Sequence, residues 1–255
     1  MMKKIALITG ASSGIGEAAA FEFALNGYNL ILTARRSERL HLLADKLRED
    51  HQIDVLPLVF DVQNYEDCLN ALSQVPEEWK KVSVLLNNAG LSLGLDPFYE
   101  GNVEDWDTMI DTNVKGLLYV SKIVSNWMIK EGKGHIINLG SIAGKESYLN
   151  GNAYCASKAA VDSLSKSMRM DLLKHKIKVS VIHPGAVNTE FSTVRFKGDV
   201  ERANNVYKGY EPLTAQDVAE SIYFIASRPA HVNINDMLIM PTAQANSYLF
   251  EKQID

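Results

Sequence analysis

Cysteine is scarce in this chain of 255 residues, which holds only Cys68 and Cys155. Two cysteines cannot form a disulfide framework, and their scarcity is typical of a reducing compartment, so we predict a cytoplasmic protein. Long apolar runs are also missing. None approaches the roughly 18 residues of a membrane span, and the run after Lys3 and Lys4 ends at Gly10, too early for the hydrophobic region of a signal peptide.

An excess of basic charge is absent too. The 26 lysines and arginines against 31 aspartates and glutamates give a formal net charge of −5. Such a protein has no positive field to attract nucleic acid or anionic lipid, so we predict that neither nucleic acid nor a membrane is a partner. The 6 histidines are scattered, and the sequence has no His-Glu-x-x-His or Cys-x-x-Cys motif, so we predict no metal site.

What the sequence does contain is an alternation of short apolar runs and longer helical patterns. The runs 5–8 and 84–86 are apolar on both faces, as in the covered strands of a parallel sheet. The alternation predicts βαβ units, and therefore a single-domain α/β protein (1–255) with a doubly wound parallel sheet of the Rossmann type. A polar stretch at 185–213 is too long for a passive connection and predicts a substrate lid. The predicted strands are 3–9, 29–34, 54–60, 82–86, 135–139, 178–183 and 237–240, and the predicted helices are 14–26, 37–50, 64–73, 103–130, 152–175 and 215–227.

A glycine-rich turn follows the first predicted strand. Glycine lets backbone N–H groups approach a pyrophosphate at a helix N-terminus, where the helix dipole favours negative charge. The segment from Gly14 to Ala19 fits the G-x-G-x-x-G/A fingerprint of dinucleotide binding. An ordinary βα turn also uses glycine, but the position between the first strand and the first helix favours a cofactor site. The residues assigned to this site are Gly10, Ser12, Ser13, Gly14, Ile15 and Gly16.

The second predicted strand ends in Arg35 and Arg36, not in the acidic residue that holds the ribose 2′-hydroxyl in NAD binders. Two guanidinium groups suit a 2′-phosphate, so we predict NADP as the cofactor. The alternative is that the two arginines merely begin the following helix. After the third strand, Asp61 and Val62 are predicted to contact the adenine, because a carboxylate accepts a hydrogen bond from an amino group. The alternative for Asp61 is a place in the N-terminal turn of a helix.

Tyr154 and Lys158 share one face of a predicted helix because they are four residues apart. Ser141 follows the fifth strand, so all three side chains should meet at the carboxyl edge of the sheet. A carbonyl reductase needs a proton donor at the carbonyl oxygen, and Tyr154 can serve if its pKa of about 10 is lowered by roughly three units. The ammonium group of Lys158 and the cationic oxidised nicotinamide would together lower this pKa, and Ser141 would orient the same oxygen. The amide of Asn113 is predicted to hold a water that links Lys158 to solvent. Each of these residues alone also fits a purely structural role.

With these motifs in place, the chain resembles the short-chain dehydrogenase/reductases over its whole length. Thr9-Gly10-x-x-x-Gly14-x-Gly16 is similar to their cofactor turn. Asn113, Ser141, Tyr154 and Lys158 match their catalytic tetrad, with the Ser-x12-Tyr-x3-Lys spacing intact. The resemblance implies a seven-stranded sheet, catalysis by Tyr154, a bond from Lys158 to the nicotinamide ribose, and a homodimer or homotetramer joined through two long helices. It also implies cofactor contacts from Asn87, Asn88, Ala89 and Gly90 after the fourth strand, and from Pro184, Gly185, Val187 and Thr189 after the sixth.

Three variable segments, 103–113, 188–199 and 231–236, are similar to the branch of this family that acts on 3-hydroxy acids such as serine or allo-threonine. This implies NADP-dependent interconversion of a small 3-hydroxy acid and its 3-oxo acid, with Ser141 and Tyr154 at the reacting oxygen.

The substrate carboxylate would need a cation, and Arg195 of the lid is the candidate because guanidinium binds carboxylate in a bidentate manner. Alternatively, Arg195 is a solvated charge or pairs with Glu190 or Asp199. Two other functions stay open. One is the reduction of another carbonyl compound, such as a ketone, quinone or acyl thioester, and the other is a non-catalytic NADP sensor.

Overall fold

A seven-stranded parallel sheet forms the centre of the protein in the computed structural model, which describes residues 3–253. The strand order is β3-β2-β1-β4-β5-β6-β7, and every neighbouring pair is parallel. The order reverses between β1 and β4, which is the switch point where doubly wound sheets bind ligands. The predicted α/β fold with its doubly wound, seven-stranded sheet is confirmed. The strands are β1 (Ile5–Thr9), β2 (Asn29–Ala34), β3 (Val55–Val59), β4 (Val82–Asn87), β5 (Gly134–Leu139), β6 (Ile177–Pro184) and β7 (Asp236–Ile239).

Helices cover both faces of the sheet, because successive side chains of each central strand are apolar and point to opposite sides. In β1, Ala6 and Ile8 belong to the core that contains Phe23, whereas Ile5 and Leu7 belong to the core on the other face. No helix within residues 3–253 is long and apolar enough to cross a membrane. The helices are α1 (Gly14–Leu25), α2 (Ser37–His51), α3 (Tyr65–Ser73), α4 (Val103–Ile110), α5 (Leu117–Glu131), α6 (Asn152–Leu172), α7 (Phe191–Arg195), α8 (Val200–Asn205) and α9 (Ala215–Ser227).

The predicted helix at 103–130 differs most from what the structure shows. Between α4 and α5 lies a π-helical segment, Asp111–Gly116, which contains Asn113. A π-helix closes i→i+5 hydrogen bonds, and such single turns occur frequently at functional sites. The apolar periodicity of the sequence does not mark this change of winding. The other predicted elements are present, and their bounds shift by a few residues at most.

The predicted lid at 185–213 contains the short helices α7 and α8 and is held against the body of the protein. Glu190 pairs with Arg36 on the cofactor side of the cleft, at 3.0 Å. The backbone N–H of Gly94 donates to the carbonyl oxygen of Arg195, at 2.9 Å. Lys197 pairs with Asp105 of α4, also at 2.9 Å. The lid is therefore anchored on both sides of the cleft described next.

Candidate active site

The carboxyl ends of the parallel strands open into a cleft made of two connected cavities, of about 280 and about 290 Å³. The first is here named the tyrosine cavity and is lined by Ser141, Tyr154 and Lys158. The second is named the arginine cavity and is lined by the glycine turn together with Arg35 and Arg36. The residues that line both cavities are Ile15, Asn88, Gly90, Leu139, Thr189 and Phe191.

The glycine turn between β1 and α1 forms the floor of the arginine cavity. Gly10 and Gly14 have positive φ angles, of 64° and 58°, which other residues rarely adopt. The carboxamide of Asn88 donates to the carbonyl oxygens of Thr9 and Gly10, at 2.8 and 3.0 Å, and so fixes the turn against the end of β4. Other predicted residues in this wall are Ser12, Ser13, Ile15, Asp61, Val62, Ala89 and Gly90.

Two residues predicted to bind the cofactor do not line either cavity. The amide of Asn87 is buried and donates to Ser121 Oγ and Asn138 Oδ1, both at 2.8 Å, so this residue joins β4 to α5 and β5 instead. A Cβ atom on Gly16 would lie only 2.4 Å from the Asn88 amide nitrogen and from the Gly10 carbonyl oxygen. Gly16 therefore allows close packing of α1 under the turn, and the prediction of a direct contact is wrong for both residues.

Arg36 crosses the mouth of the arginine cavity. Its guanidinium donates to Ser12 Oγ at 3.1 Å, to Ser13 Oγ at 2.5 Å and to Glu190 Oε2 at 3.0 Å. Arg35 instead pairs with Asp61, with 3.5 Å between Nη1 and Oδ2. Both arginines stand at the cavity, as predicted, and more than two-fifths of each side chain is exposed, at 58% and 43%. The contact with Glu190 has no counterpart in the sequence predictions.

Tyr154 is buried beneath the lid in the tyrosine cavity. Its ring lies 5.6 Å from that of Phe191. Burial raises the pKa of Tyr154, whereas the guanidinium of Arg195 and then the Ser141 hydroxyl act to lower it. The predicted lowering of this pKa by Lys158 together with the oxidised nicotinamide concerns the site with its cofactor bound and stays a prediction. Burial dominates, and the cation that opposes it most strongly is Arg195, whose guanidinium carbon is 5.1 Å from the ring centroid.

Lys158 lies one helical turn after Tyr154 and is buried. Its ammonium group donates to the carbonyl oxygen of Leu139, at 2.8 Å, and stands 6.0 Å from the centre of the Tyr154 ring. Burial lowers the pKa of Lys158 from 10.5 to about 8. A Cβ atom on Gly90 would come within 3.5 Å of this nitrogen, so glycine at that position keeps the ammonium group open to the cleft.

Ser141 and Asn113 complete the predicted tetrad in different ways. Ser141 Oγ accepts from the backbone N–H of Ala143, at 3.1 Å, which fixes the oxygen and leaves the hydroxyl proton to be donated. The Asn113 amide donates to the Leu91 carbonyl oxygen at 2.8 Å and to Ser157 Oγ at 3.0 Å, and it accepts from the Leu91 N–H at 2.8 Å. Both amide protons of Asn113 are therefore used to hold the loop after β4 to α6, so the predicted water contact would be made by the second lone pair of Oδ1, and it stays a prediction.

Arg195 enters the tyrosine cavity from the end of α7. Nε donates to Ser92 Oγ at 3.0 Å, and Nη2 donates to the Tyr148 hydroxyl at 2.8 Å. Among residues 3–253 it forms no ion pair, neither with Glu190 nor with Asp199. Two neutral partners thus hold a half-buried cation beside the ring of Tyr154, with its remaining N–H groups available to an anion.

Several residues of the tyrosine cavity have no motif in the sequence. The Tyr207 hydroxyl donates to the Val187 carbonyl oxygen at 2.8 Å, which fixes the chain beyond β6. The Gln244 side-chain oxygen accepts from the Ala186 N–H, also at 2.8 Å. Predicted residues Pro184, Gly185, Val187 and Thr189 line the same wall. The segment after β7 therefore contributes to the cavity, which sequence patterns alone do not indicate.

One group of possible metal ligands lies beside the cleft. Ligand atoms of Asp162, His183 and Asp236 are all within 4.8 Å of one another. The ammonium group of Lys145 binds both carboxylates and that of Lys166 binds Asp162, so two internal cations already balance their charge. His183 donates through Nδ1 to the Ser141 carbonyl oxygen, at 3.1 Å, and thereby supports the strand end that carries Ser141.

A Rossmann sheet with Ser141, Tyr154 and Lys158 at its carboxyl edge defines an oxidoreductase of the nicotinamide-dependent kind. Comparison with known protein families matches residues 4–199 to the short chain dehydrogenase family. The chain belongs to the short-chain dehydrogenase/reductases, and it is an oxidoreductase.

Among individual proteins, the chain is 46% identical over 242 residues to the NADP-dependent 3-hydroxy acid dehydrogenase YdfG of Salmonella typhi, covering 94% of this chain and 96% of the relative. It is 42% identical to the NADP-dependent 3-hydroxy acid dehydrogenase of Schizosaccharomyces pombe, covering 98% and 97% of the two chains. The closed form of serine dehydrogenase complexed with NADP+ is 43% identical and has a TM-score of 0.91, over 98% of this chain and 100% of that one. The prediction that this chain resembles the short-chain dehydrogenase/reductases, and among them the branch that acts on 3-hydroxy acids, is confirmed.

Proposed function

We propose that this protein is an NADP-dependent dehydrogenase that interconverts small 3-hydroxy acids, such as serine or allo-threonine, and their 3-oxo acids. The relatives named above carry this activity in their names. The structure supports the proposal through the surroundings of Arg195. Its half-buried guanidinium has two neutral partners and lies beside Tyr154, the proposed proton-transferring residue. An unpaired cation in a cavity selects an anionic group on the substrate.

The arginine cavity fits the adenosine and phosphate end of NADP. Positive φ angles at Gly10 and Gly14 turn the chain so that the N-terminus of α1 faces the cavity, where its dipole favours a pyrophosphate. Arg35 and Arg36 supply donors and positive charge for a 2′-phosphate. Asp61 and Val62 form the wall at the end of β3 that would receive the adenine. Lys158 would hold the nicotinamide ribose.

In the proposed oxidation, the Tyr154 oxygen takes the proton of the substrate 3-hydroxyl, and in the reverse reaction it returns that proton. Bound NADP supplies the acceptor for the hydride that leaves carbon 3. Ser141 donates its hydroxyl proton to the same substrate oxygen, while its own oxygen is held in place by the Ala143 N–H. Burial disfavours the ionised form of Tyr154, whereas the positive charge of Arg195 and the Ser141 hydroxyl favour it.

Arg195 would hold the substrate carboxylate. The bonds from Nε to Ser92 and from Nη2 to Tyr148 fix the plane of the guanidinium and leave Nη1 without a partner among the described residues. A group held in this way is positioned before the substrate arrives, so less conformational entropy is lost on binding. In this proposal the carboxylate binds on the Tyr154 side of the lid, where the guanidinium carbon lies 5.1 Å from the ring centroid.

We also propose a cytoplasmic location and a homodimer or homotetramer. Both cysteines are free thiols, in agreement with a reducing compartment. Met170 and Leu173, at the end of α6, are 71% and 74% exposed, so this part of a long helix offers apolar surface to another subunit. Sedimentation at several protein concentrations tests the subunit number.

The decisive experiment for the function is the rate of NADPH formation, followed by absorbance, with L-serine and allo-threonine as substrates. We expect oxidation of both, with NADP clearly preferred to NAD. Activity confined to an uncharged ketone, a quinone or an acyl thioester would favour a reductase of another class. Tight NADPH binding with no turnover of any of these substrates would favour a non-catalytic sensor.

A further inference from the structure

Glu190 lies where the lid meets the arginine cavity, immediately before α7. Its two carboxylate oxygens accept from two arginines of the body: Oε2 from Arg36 Nη1 at 3.0 Å, and Oε1 from Arg39 Nη1 at 2.8 Å. Both arginines lower the pKa of Glu190, so the carboxylate is ionised at neutral pH. An anion of the protein itself therefore sits against one of the guanidinium groups assigned to the 2′-phosphate.

The other donors of Arg36 are occupied as well. Nε donates to Ser12 Oγ at 3.1 Å, and Nη2 donates to Ser13 Oγ at 2.5 Å and weakly to the Ser12 carbonyl oxygen at 3.5 Å. One N–H of Nη1 is left over, so a phosphate that binds Arg36 through two oxygens, in the bidentate manner typical of arginine, must displace one of these partners. The serine hydroxyls are neutral and can themselves donate to a phosphate, whereas the Glu190 carboxylate repels it. Glu190 is thus the partner that a phosphate replaces.

We propose that Glu190 is an internal occupant of the 2′-phosphate site and limits how strongly the protein prefers NADPH to NADH. The inference rests on the proposed function, since it takes Arg36 as a ligand of the 2′-phosphate. NADH lacks this phosphate and leaves the Glu190 pairs intact. NADPH binds only by exchanging the carboxylate for its own phosphate, so part of the phosphate's attraction is lost in that exchange.

The expected change in NADPH affinity depends on how strongly solvent screens the ion pairs of Glu190. About half of each side chain is in contact with solvent: 49% for Glu190, 43% for Arg36 and 52% for Arg39. Exposed ion pairs are weak because water and salt screen them. We therefore expect removal of the Glu190 charge to tighten NADPH binding by about three- to tenfold, and the effect to shrink at high salt.

The test is the Kd of NADPH and of NADH for Glu190→Gln, measured by nucleotide fluorescence on the full chain. The matched control is Glu17→Gln. Glu17 lies in the same surface groove as Glu190 and Arg39, but it forms no ion pair within the described part of the chain. We expect Glu190→Gln to tighten NADPH binding and leave NADH binding nearly unchanged, and Glu17→Gln to change both only slightly. Unchanged or weaker NADPH binding by Glu190→Gln would overturn the inference, as would an equal gain in Glu17→Gln.

Two further variants separate this inference from the proposed function. Arg36→Ala alone should weaken NADPH binding, and if it does not, the assignment of Arg36 to the phosphate fails. If Arg36→Ala weakens NADPH binding but Glu190→Gln does not tighten it, only the role of Glu190 fails. In the Arg36→Ala background the gain from Glu190→Gln should be largely lost, because Arg36 is the group for which carboxylate and phosphate compete.

Discussion

Replacing Arg195 by alanine should reduce activity toward 3-hydroxy acids far more than activity toward matched uncharged substrates. Ser92 and Tyr148 occupy Nε and Nη2 of the guanidinium, so the edge left for a carboxylate offers one or two charge-assisted hydrogen bonds. Bonds of this kind contribute about 1.5–3 kcal/mol each. The loss in kcat/KM for the acid is therefore expected to be about tenfold to over a hundredfold.

The assay compares kcat/KM for a 3-hydroxy acid with that for its methyl ester, in the unmodified protein and in Arg195→Ala. Loss of the guanidinium also removes a charge that lowers the pKa of Tyr154, so the rise of activity with pH should move to higher pH. That shift affects acid and ester alike and cancels in their ratio. The ratio therefore reports the carboxylate contact alone.

Lys197→Met is the matched control, because Lys197 is a lid cation that pairs with Asp105 of α4 and does not line either cavity. It should leave the ratio of acid to ester unchanged even if the lid is loosened. Equal losses for acid and ester in Arg195→Ala would refute the reasoning, because they would show that Arg195 only shapes the lid.

The remaining predictions concern the other residues of the cleft. Tyr154→Phe keeps the ring but removes the transferable proton, so turnover should be almost abolished while NADPH still binds. Near-normal turnover in this variant would contradict the proposed mechanism. Lys158→Met should weaken both turnover and NADP binding. It should also change the pH dependence of stability. Because burial lowers the pKa of Lys158 from 10.5 to about 8, the destabilisation by the buried charge is complete below about pH 8 and is relieved as the pH rises from about 8 to 10.5. The free energy of unfolding of the unmodified protein, measured with urea, should therefore rise relative to that of the variant by about 3 kcal/mol over this range, and parallel pH curves would contradict this. Arg35→Ala and Arg36→Ala should each reduce the preference for NADP over NAD, measured as a ratio of kcat/KM, whereas equal use of both cofactors by the unmodified protein would argue against a phosphate site.

The sheet was predictable because its determinants are local. The runs in β1 and β4 are apolar on both faces, and strand patterns alternate with helical patterns along the chain, so the alternation alone leads to a parallel sheet. The residues that directly follow the strands then lie together at the carboxyl edge of the sheet. Ser141 after β5 and the glycine turn after β1 reach the cleft for this reason, as does Tyr154 at the start of α6.

The errors concern the direction and surroundings of single side chains. Asn87 and Asn88 are adjacent, but successive side chains at a strand end point in opposite directions. Asn88 therefore reaches the glycine turn, while Asn87 turns into the network with Ser121 and Asn138. For Tyr154, the spacing of four residues to Lys158 contains no information about burial under the lid, which raises the pKa, or about Arg195, which acts to lower it.

The contacts that no pattern could indicate are those between distant parts of the chain. Arg36 and Glu190 are 154 residues apart, and Arg195 and Ser92 are 103 apart. Both pairs join the lid to loops at the carboxyl edge. A charged residue in such a segment fits a solvated surface as well as a site, and only the packing of the lid distinguishes the two.

The short helix α7 connects the two cavities through these distant contacts. Glu190 precedes its first residue and faces the arginines of the cofactor side, while Arg195 is its last residue and faces Tyr154. A helix of this length spans only about 8 Å, at roughly 1.5 Å per residue, so the charges at its two ends cannot be repositioned independently. Replacement of Glu190 by a phosphate would therefore change the contacts at one end of α7, and the other end of α7 carries Arg195, the proposed ligand of the substrate carboxylate. Any such coupling must be reciprocal, because a substrate that orders one end of α7 changes the free energy of cofactor binding at the other end by the same amount.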